Sequence, residues 1–258
     1  MQLWAEINIK KAPPIRGFFN EKEVKRMKEQ AIEYLSGDAL LNIDMIECIR
    51  RGLCDILYAG GDGVMIKARG SDAYMLSCDS AGAAVRITAG HDIDLLVLHQ
   101  MEQKTEVCEA LGLCAGDECF QGAYTKKVPL PESGEDIRCL DESFAERIIE
   151  AYDMYEPEHI RTLLERRLMY GVFETGELAG FIGWHDEGAQ GMLHVFPEYR
   201  RRGFAEALER RLINIDLSRG YTPFGQLFIW NDASRRLQEK LGMDFADGHI
   251  CWLWKEKE

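Results

Sequence analysis

The chain has 258 residues, enough for one large or two ordinary domains, each able to bury a real core. It is 46% hydrophobic and 29% charged with seven prolines, the composition of a soluble globular protein, and no apolar run approaches the ~20 residues that cross a bilayer. A net charge of −13 excludes the basic footprint of a nucleic-acid binder, and eight cysteines with no Cys-x-x-Cys and no histidine at ligand spacing point away from a metal site. Cys48, Cys54, Cys108 and Cys251 fall in apolar patterns, where a thiol behaves as a small hydrophobe. The opening Met1-Gln2-Leu3-Trp4-Ala5-Glu6 lacks the basic-then-apolar pattern of a signal peptide, so a cytoplasmic location is expected.

Residues 20–35 read as an amphipathic helix capped by Asn20, and a second helix over 43–51 stops at Gly52. The runs 55–59 and 64–67 around Gly60-Gly61-Asp62-Gly63 predict a hairpin. Buried strands are expected at 74–76 and 95–98, with a short helix over 81–88 between them. Two prolines, a glycine and acidic residues over 128–135 mark a linker, which divides the chain into domains 1–130 and 136–258. Beyond it come a strand at 137–140, a helix capped by Asp141, and a helix from Pro157 that ends by Tyr170. A hairpin over 171–184 and a strand over 191–196 follow.

The two halves also resemble each other. A strand-helix-strand over 95–127 matches one over 227–257: Leu111-Gly112 and Leu241-Gly242 lie 130 residues apart (241 minus 111), as do Lys127 and Lys257.

Residues 192–213 carry the strongest functional signal. An apolar run ends at Val195-Phe196-Pro197, a turn Arg200-Arg201-Arg202-Gly203-Phe204-Ala205 follows, and apolar residues then recur at helical spacing. A strand-turn-helix crossing gathers backbone N–H groups at the positive end of a helix dipole, which suits phosphate. Gly203 lets the backbone approach an anion closely, and the arginines add bidentate donors. Downstream, Asn231-Asp232-Ala233-Ser234 opens another helix that ends at Leu241-Gly242-Met243.

In order and spacing, Arg200-x-x-Gly203-x-Ala205 after a Val-x-Pro strand end, followed by Asn231-x-x-Ser234 and Leu-Gly-Met, resembles the GNAT N-acetyltransferase superfamily. With Trp252-Leu253-Trp254 it also resembles the glycine N-acyltransferase-like branch. The resemblance implies a mixed α/β fold, a central mostly antiparallel sheet flanked by helices. Here it would occur as two tandem GNAT-like domains, the first degenerate, because Cys78-Asp79-Ser80-Ala81-Gly82-Ala83 stands in place of the arginine turn. It further implies acetyl-CoA as co-substrate and no metal. Residues 200–205 would hold the pyrophosphate. Leu193, His194 and Val195, with Asn231 and Ser234, would hold the pantetheine arm. The plain structural role of Asn231 is a helix cap.

The implied acceptor is a primary amine of a small molecule, with no nucleic acid or membrane partner, and the chain acting as monomer or homodimer. Many members carry a tyrosine seven residues after the capping asparagine; here Gln238 stands there, able to hydrogen-bond sulfur but not to protonate it. No carboxylate occurs at Ala189-Gln190, where the family often has a base; His185, Asp186, Glu187 and His194 are the nearby substitutes. Their plain readings are a solvated turn residue for Glu187 and a satisfied core histidine for His194. Two rivals to a small-molecule enzyme are a CoA-binding module without catalysis and a protein acetyltransferase acting on lysines or N-termini.

Overall fold

A computed structural model describes residues 21–256. The Asn20 cap, Lys257 and the first six residues lie outside the described residues. Elsewhere the expected elements recur, most within two or three residues of their predicted ends.

The described residues form two compact units. Unit 1 comprises Tyr124–His185 and Ala189–Pro223. Its antiparallel sheet runs in the order β6 (Asp136–Cys139), β7 (Met169–Glu174), β8 (Glu177–Trp184) and β9 (Gln190–Val195). Strand alternation gives the sheet two apolar faces. Phe173, Phe181 and Met192 pack with Ile148 of α5 (Ala145–Ala151) and Ile160 and Leu163 of α6 (Pro157–Glu165). Val172, Ala179, Ile182 and Trp184 instead meet Phe204, Leu208 and Leu212 of α7 (Phe204–Ser218). The Asp141 cap starts a 3-10 turn, Glu142–Phe144, before α5, with its carboxylate accepting the Ser143 N–H at 3.0 Å.

Unit 2 holds residues 21–123, Asp186–Gly188 and 224–256. In chain order it contains α1 (Glu21–Leu35), α2 (Ile43–Arg51), β1 (Cys54–Gly60), β2 (Gly63–Ala68), β3 (Tyr74–Cys78) and α3 (Ala81–Thr88). Then come β4 (Leu95–Leu98), α4 (Lys104–Leu111), β5 (Cys114–Ala123), β10 (Phe224–Phe228), α8 (Asp232–Leu241) and β11 (Asp244–Trp254). The seven strands run β1-β2-β3-β4-β11-β5-β10, and only β3 and β4 pair in parallel.

These units cut across the sequence division at 130 and 136. Residues 224–256 follow the second half in the chain, yet β10 and β11 complete the sheet of the first-half strands. The cause is an exchange of partners. β11 lies between β4 and β5, with Cys251 opposite Leu98 on one side and Glu118 on the other, while β5 pairs outward with β10. The two strand-helix-strand segments thus interlock as β4-β11-β5-β10.

Their helix ends match as well. Gly112 and Gly242 take φ of 64° and 80°, and the closing bonds Leu113 N–H to Cys108 O and Met243 N–H to Gln238 O keep the 130-residue spacing (243 minus 113).

The β5–β11 pairing needs a glycine at 116, because a Cβ there would overlap the Trp254 indole and come within 2.5 Å of the Trp252 carbonyl oxygen. Gly116→Val is expected to destabilise the protein by roughly 2–3 kcal/mol through overpacking. A urea midpoint equal to wild type would show that this pairing is looser than described.

Candidate functional site

The arginine turn is built by its backbone. After β9 the chain makes a 3-10 turn, Pro197–Tyr199, and then enters the left-handed region at Arg201 (φ 66°) and Gly203 (φ 88°). A Cβ at Gly203 would meet nothing within 4 Å, so the conformation, not space within the protein, calls for glycine. Gly203 caps α7 without a side chain, and its carbonyl takes the helix's first bond from the Ala207 N–H at 3.0 Å. The N–H groups of Phe204 and Ala205 therefore lie ahead of the hydrogen-bond ladder, at the positive end of a 15-residue helix.

The three arginines divide their tasks. Arg200 Nε donates to the Val195 carbonyl at 3.0 Å. Arg202 pairs with Glu174, donates to the Glu198 carbonyl at 3.1 Å and lies over the Tyr199 ring. These two brace the turn. Arg201, also exposed, makes no ion pair or hydrogen bond among the described residues, so its charge remains for an anion. The Phe204 side chain is buried in the core under α7, so only its backbone can serve a ligand.

β9 carries a bulge, with its register against β8 shifting between Phe181 and Gly183, and Met192 at φ 58°. Leu193 and Val195 pack toward α7. His194 stacks on Phe181 at 5.3 Å and meets Phe196 edge-on at 5.2 Å. Burial first, and the Arg200 charge second, push its pKa below the ordinary histidine value, so the ring is neutral at physiological pH. Asp216 of α7 ties the strands to the helix, accepting Trp184 Nε1–H at 3.1 Å and Gln190 Nε2–H at 2.8 Å.

His185 closes the first stretch of unit 1. Its Nδ1 lies 2.5 Å from the Tyr155 hydroxyl, and its Nε2 lies over Gly191, where a Cβ would overlap it. Burial and the neighbouring His159 push it down to about 4.

Glu187 belongs to unit 2, and the solvated-turn reading is corrected here: the residue is 7% exposed. The 186–188 segment is held by Arg51 Nη1, which donates to the Gly188 carbonyl at 3.0 Å while Arg51 Nε pairs with buried Glu47. Burial, with Asp186 and Asp44 nearby, raises the Glu187 carboxyl to about 8.

Asp44 centres a network that pattern reading missed; the signal available was an acid inside the apolar stripe of α2. It accepts the Met45 N–H at 2.7 Å and Gln226 Nε2–H at 3.1 Å, and lies 2.8 Å from His99 Nε2. His99 Nδ1 is 3.0 Å from the Leu76 carbonyl. Both ring nitrogens thus face oxygen acceptors. Burial opposes a charge on His99, yet Asp44 outweighs it and holds the pKa above the ordinary value.

On α8, Asn231 Oδ1 accepts the Ser234 N–H at 3.2 Å, so the capping role is present. Gln238 is buried, and its Oε1 has no hydrogen-bond partner among the described residues. Among the described residues no group of three or more His, Cys, Asp or Glu could hold a metal ion, and no helix is long and apolar enough to cross a membrane.

A family model described as FR47-like protein matches residues 169–253, from β7 to β11. Among solved structures, a Drosophila protein aligns with TM-score 0.67 at 16% identity, covering 92% of this chain and 97% of its own. A GCN5-related N-acetyltransferase from Kribbella flavida aligns with TM-score 0.56 at 12% identity, covering 85% and 96%. A GCN5-related N-acetyltransferase-like protein from Streptococcus suis gives 0.52 at 18%, covering 89% and 100%. The chain has the GNAT acetyltransferase fold. No curated protein sequence matches it.

Within this GNAT fold, β9, the arginine turn, His185 and His194 share unit 1, while Glu187, Asn231, Ser234 and Gln238 belong to unit 2. Glu187 has a stability consequence whose sign is fixed. Its folded pKa lies above the unfolded value, so between the ordinary carboxylate range and about pH 8 the folded state binds more protons than the unfolded state. Its contribution is therefore full at low pH and lost as pH rises toward 8. Glu187→Gln is expected to gain on the order of 3 kcal/mol relative to wild type between pH 5 and pH 8.5. Urea unfolding at both pH values measures it; parallel pH dependences would refute the buried acid.

Proposed function

We propose that the chain is an N-acyltransferase that transfers the acetyl group of acetyl-CoA to a primary amine of a small molecule. The observation that carries this is the 200–205 turn. A left-handed glycine opens a long helix there, with backbone N–H groups at its positive end and one arginine charge unspent. The CoA pyrophosphate would lie against Arg201 and the N–H groups of Gly203, Phe204 and Ala205, with Arg200 and Arg202 holding the turn in shape.

The bulged end of β9, Leu193 to Val195, would offer its backbone to the pantetheine arm. Holding amine and thioester together supplies much of the rate, since orientation converts a bimolecular step into a near-unimolecular one.

The proton carriers in this proposal are the sequence candidates. Neutral His185 and His194 can accept or relay a proton. Because Gln238 stands where the resembling enzymes have a tyrosine, a CoA-binding module without turnover is the second reading. The protein would work in the cytoplasm as monomer or homodimer.

In unit 2 the β3-to-α3 crossing is capped by Ser80, whose Oγ accepts the Ala83 N–H at 3.2 Å, and it carries no arginine. A degenerate first repeat of this kind would bind no cofactor. Calorimetry is therefore expected to give one acetyl-CoA per chain, and Gly203→Trp to abolish that binding while circular dichroism stays unchanged. Unaltered affinity in the variant would remove the turn from the site. Wild-type binding with no CoA release across an amine panel would favour the second reading.

A further inference from the structure

Gln238 cannot give a proton to a departing thiolate, so the proposed acyl transfer needs another source. One is built into unit 1, where three polar rings meet beside the start of β9. Tyr155 lies between α5 and α6, His159 is on α6, and His185 follows β8. The Tyr155 hydroxyl is 2.5 Å from His185 Nδ1, and the Tyr155 and His159 rings pack with centroids 4.4 Å apart.

His185 is held on its other sides too. Its backbone N–H donates to the Ala189 carbonyl at 2.9 Å. Its Nε2 rests over Gly191, which does not have a positive φ; glycine is needed there to admit the imidazole. The ring is neutral over the whole range in which an amine is a nucleophile, because burial and His159 disfavour its cation. A neutral imidazole has one N–H. A phenol is the better donor and an imidazole nitrogen the better acceptor, so Tyr155 O–H donates to Nδ1 and the ring hydrogen sits on Nε2, over β9.

Resting on the proposed function, we infer that Tyr155 is a positioning residue that fixes His185 with its Nε2–H directed at β9, and that this pair protonates the departing CoA thiolate. The amine nitrogen bonds to the acyl carbon, the C–S bond breaks, and its electron pair stays on sulfur. The Nε2 proton passes to sulfur as the Tyr155 proton moves to Nδ1, leaving a neutral imidazole of the other tautomer. The new amide nitrogen then releases its proton to solvent, Nε2 takes one up from solvent, and Nδ1 returns its proton to the tyrosinate, which restores the starting pair. Among the described residues, the titratable groups facing His185 include Tyr155 from the α5–α6 segment and His159 from α6, and the Gly191 backbone of β9 lies under its Nε2.

Tyr155→Phe removes one oxygen and keeps the ring. The full-length protein, with its fold checked by thermal unfolding, is examined by histidine nitrogen NMR and by steady-state kinetics. Wild-type His185 should show the Nε2–H tautomer, and the variant a mixture. In the variant kcat should fall roughly 100-fold with the KM for acetyl-CoA little changed, and the basic limb of the pH profile should move. The same substitution should add nothing in a His185→Gln background. An Nδ1–H tautomer in wild type, or a kcat within twofold in Tyr155→Phe, would overturn the inference while leaving the acyltransferase reading intact. A wild-type protein that does not bind acetyl-CoA would overturn that reading, and this inference with it.

Discussion

The antiparallel pairing of β5 with β11 is the constraint on which the rest of the structure depends. Each is the last strand of a strand-helix-strand segment, and each pairs outward with the first strand of the other segment. Backbone polar groups buried in a sheet must be satisfied, so the C-terminal strand cannot leave this position without orphaning ladders on both sides. Leu253 and Cys251 of β11 are fully buried and join the core with Leu96, Leu98 and Val107. The same pairing explains why residues 224–256 belong with residues 21–123, and why α8 rides on unit 2. Gly116 marks how closely the two strands approach.

Unit 1 follows a different logic, in which rigidity is concentrated around one turn. Asp216 joins β8 and β9 to α7 through two buried hydrogen bonds, and Phe204 anchors the first residue of α7 in the core. Arg202 and Arg200 are committed to Glu174 and to backbone carbonyls, so the turn keeps its shape without a ligand. An anion arriving there would meet donors already aimed, which reduces the ordering cost of binding. The positive φ of Arg201 fits that role, since a left-handed arginine carries a backbone cost that a plain surface loop would avoid.

Much of this was legible in the sequence. Helix ends at Gly52 and Gly242, the hairpin at Gly60–Gly63, and the strand-turn-helix at 195–205 carry local signals, since glycine, proline and periodicity act within a few residues. The 130-residue repeat was visible for the same reason. Strand exchange was not, because alternation of apolar residues specifies a face and not a partner. A boundary at the Pro-rich linker follows composition along the chain, whereas the compact units join residues 224–256 to residues 21–123. Glu187 looked solvated because it sits in a polar run, His185-Asp186-Glu187-Gly188. It is buried all the same, and the neighbouring Gly188 carbonyl is held by Arg51, 136 positions before Glu187 (187 minus 51). Tyr155 was invisible as a partner of His185 because 30 residues separate them and neither belongs to a spaced motif.

The central claim is that an acyl-CoA docks on the 200–205 turn and the adjoining end of β9. Hydrogen–deuterium exchange of the full chain with and without acetyl-CoA tests it most directly. The account predicts slowed exchange at the amides of residues 193–195 and 203–206, with the 78–83 crossing unaffected. Unchanged exchange at 203–206 under saturating acetyl-CoA, or protection confined to 78–83, would contradict it.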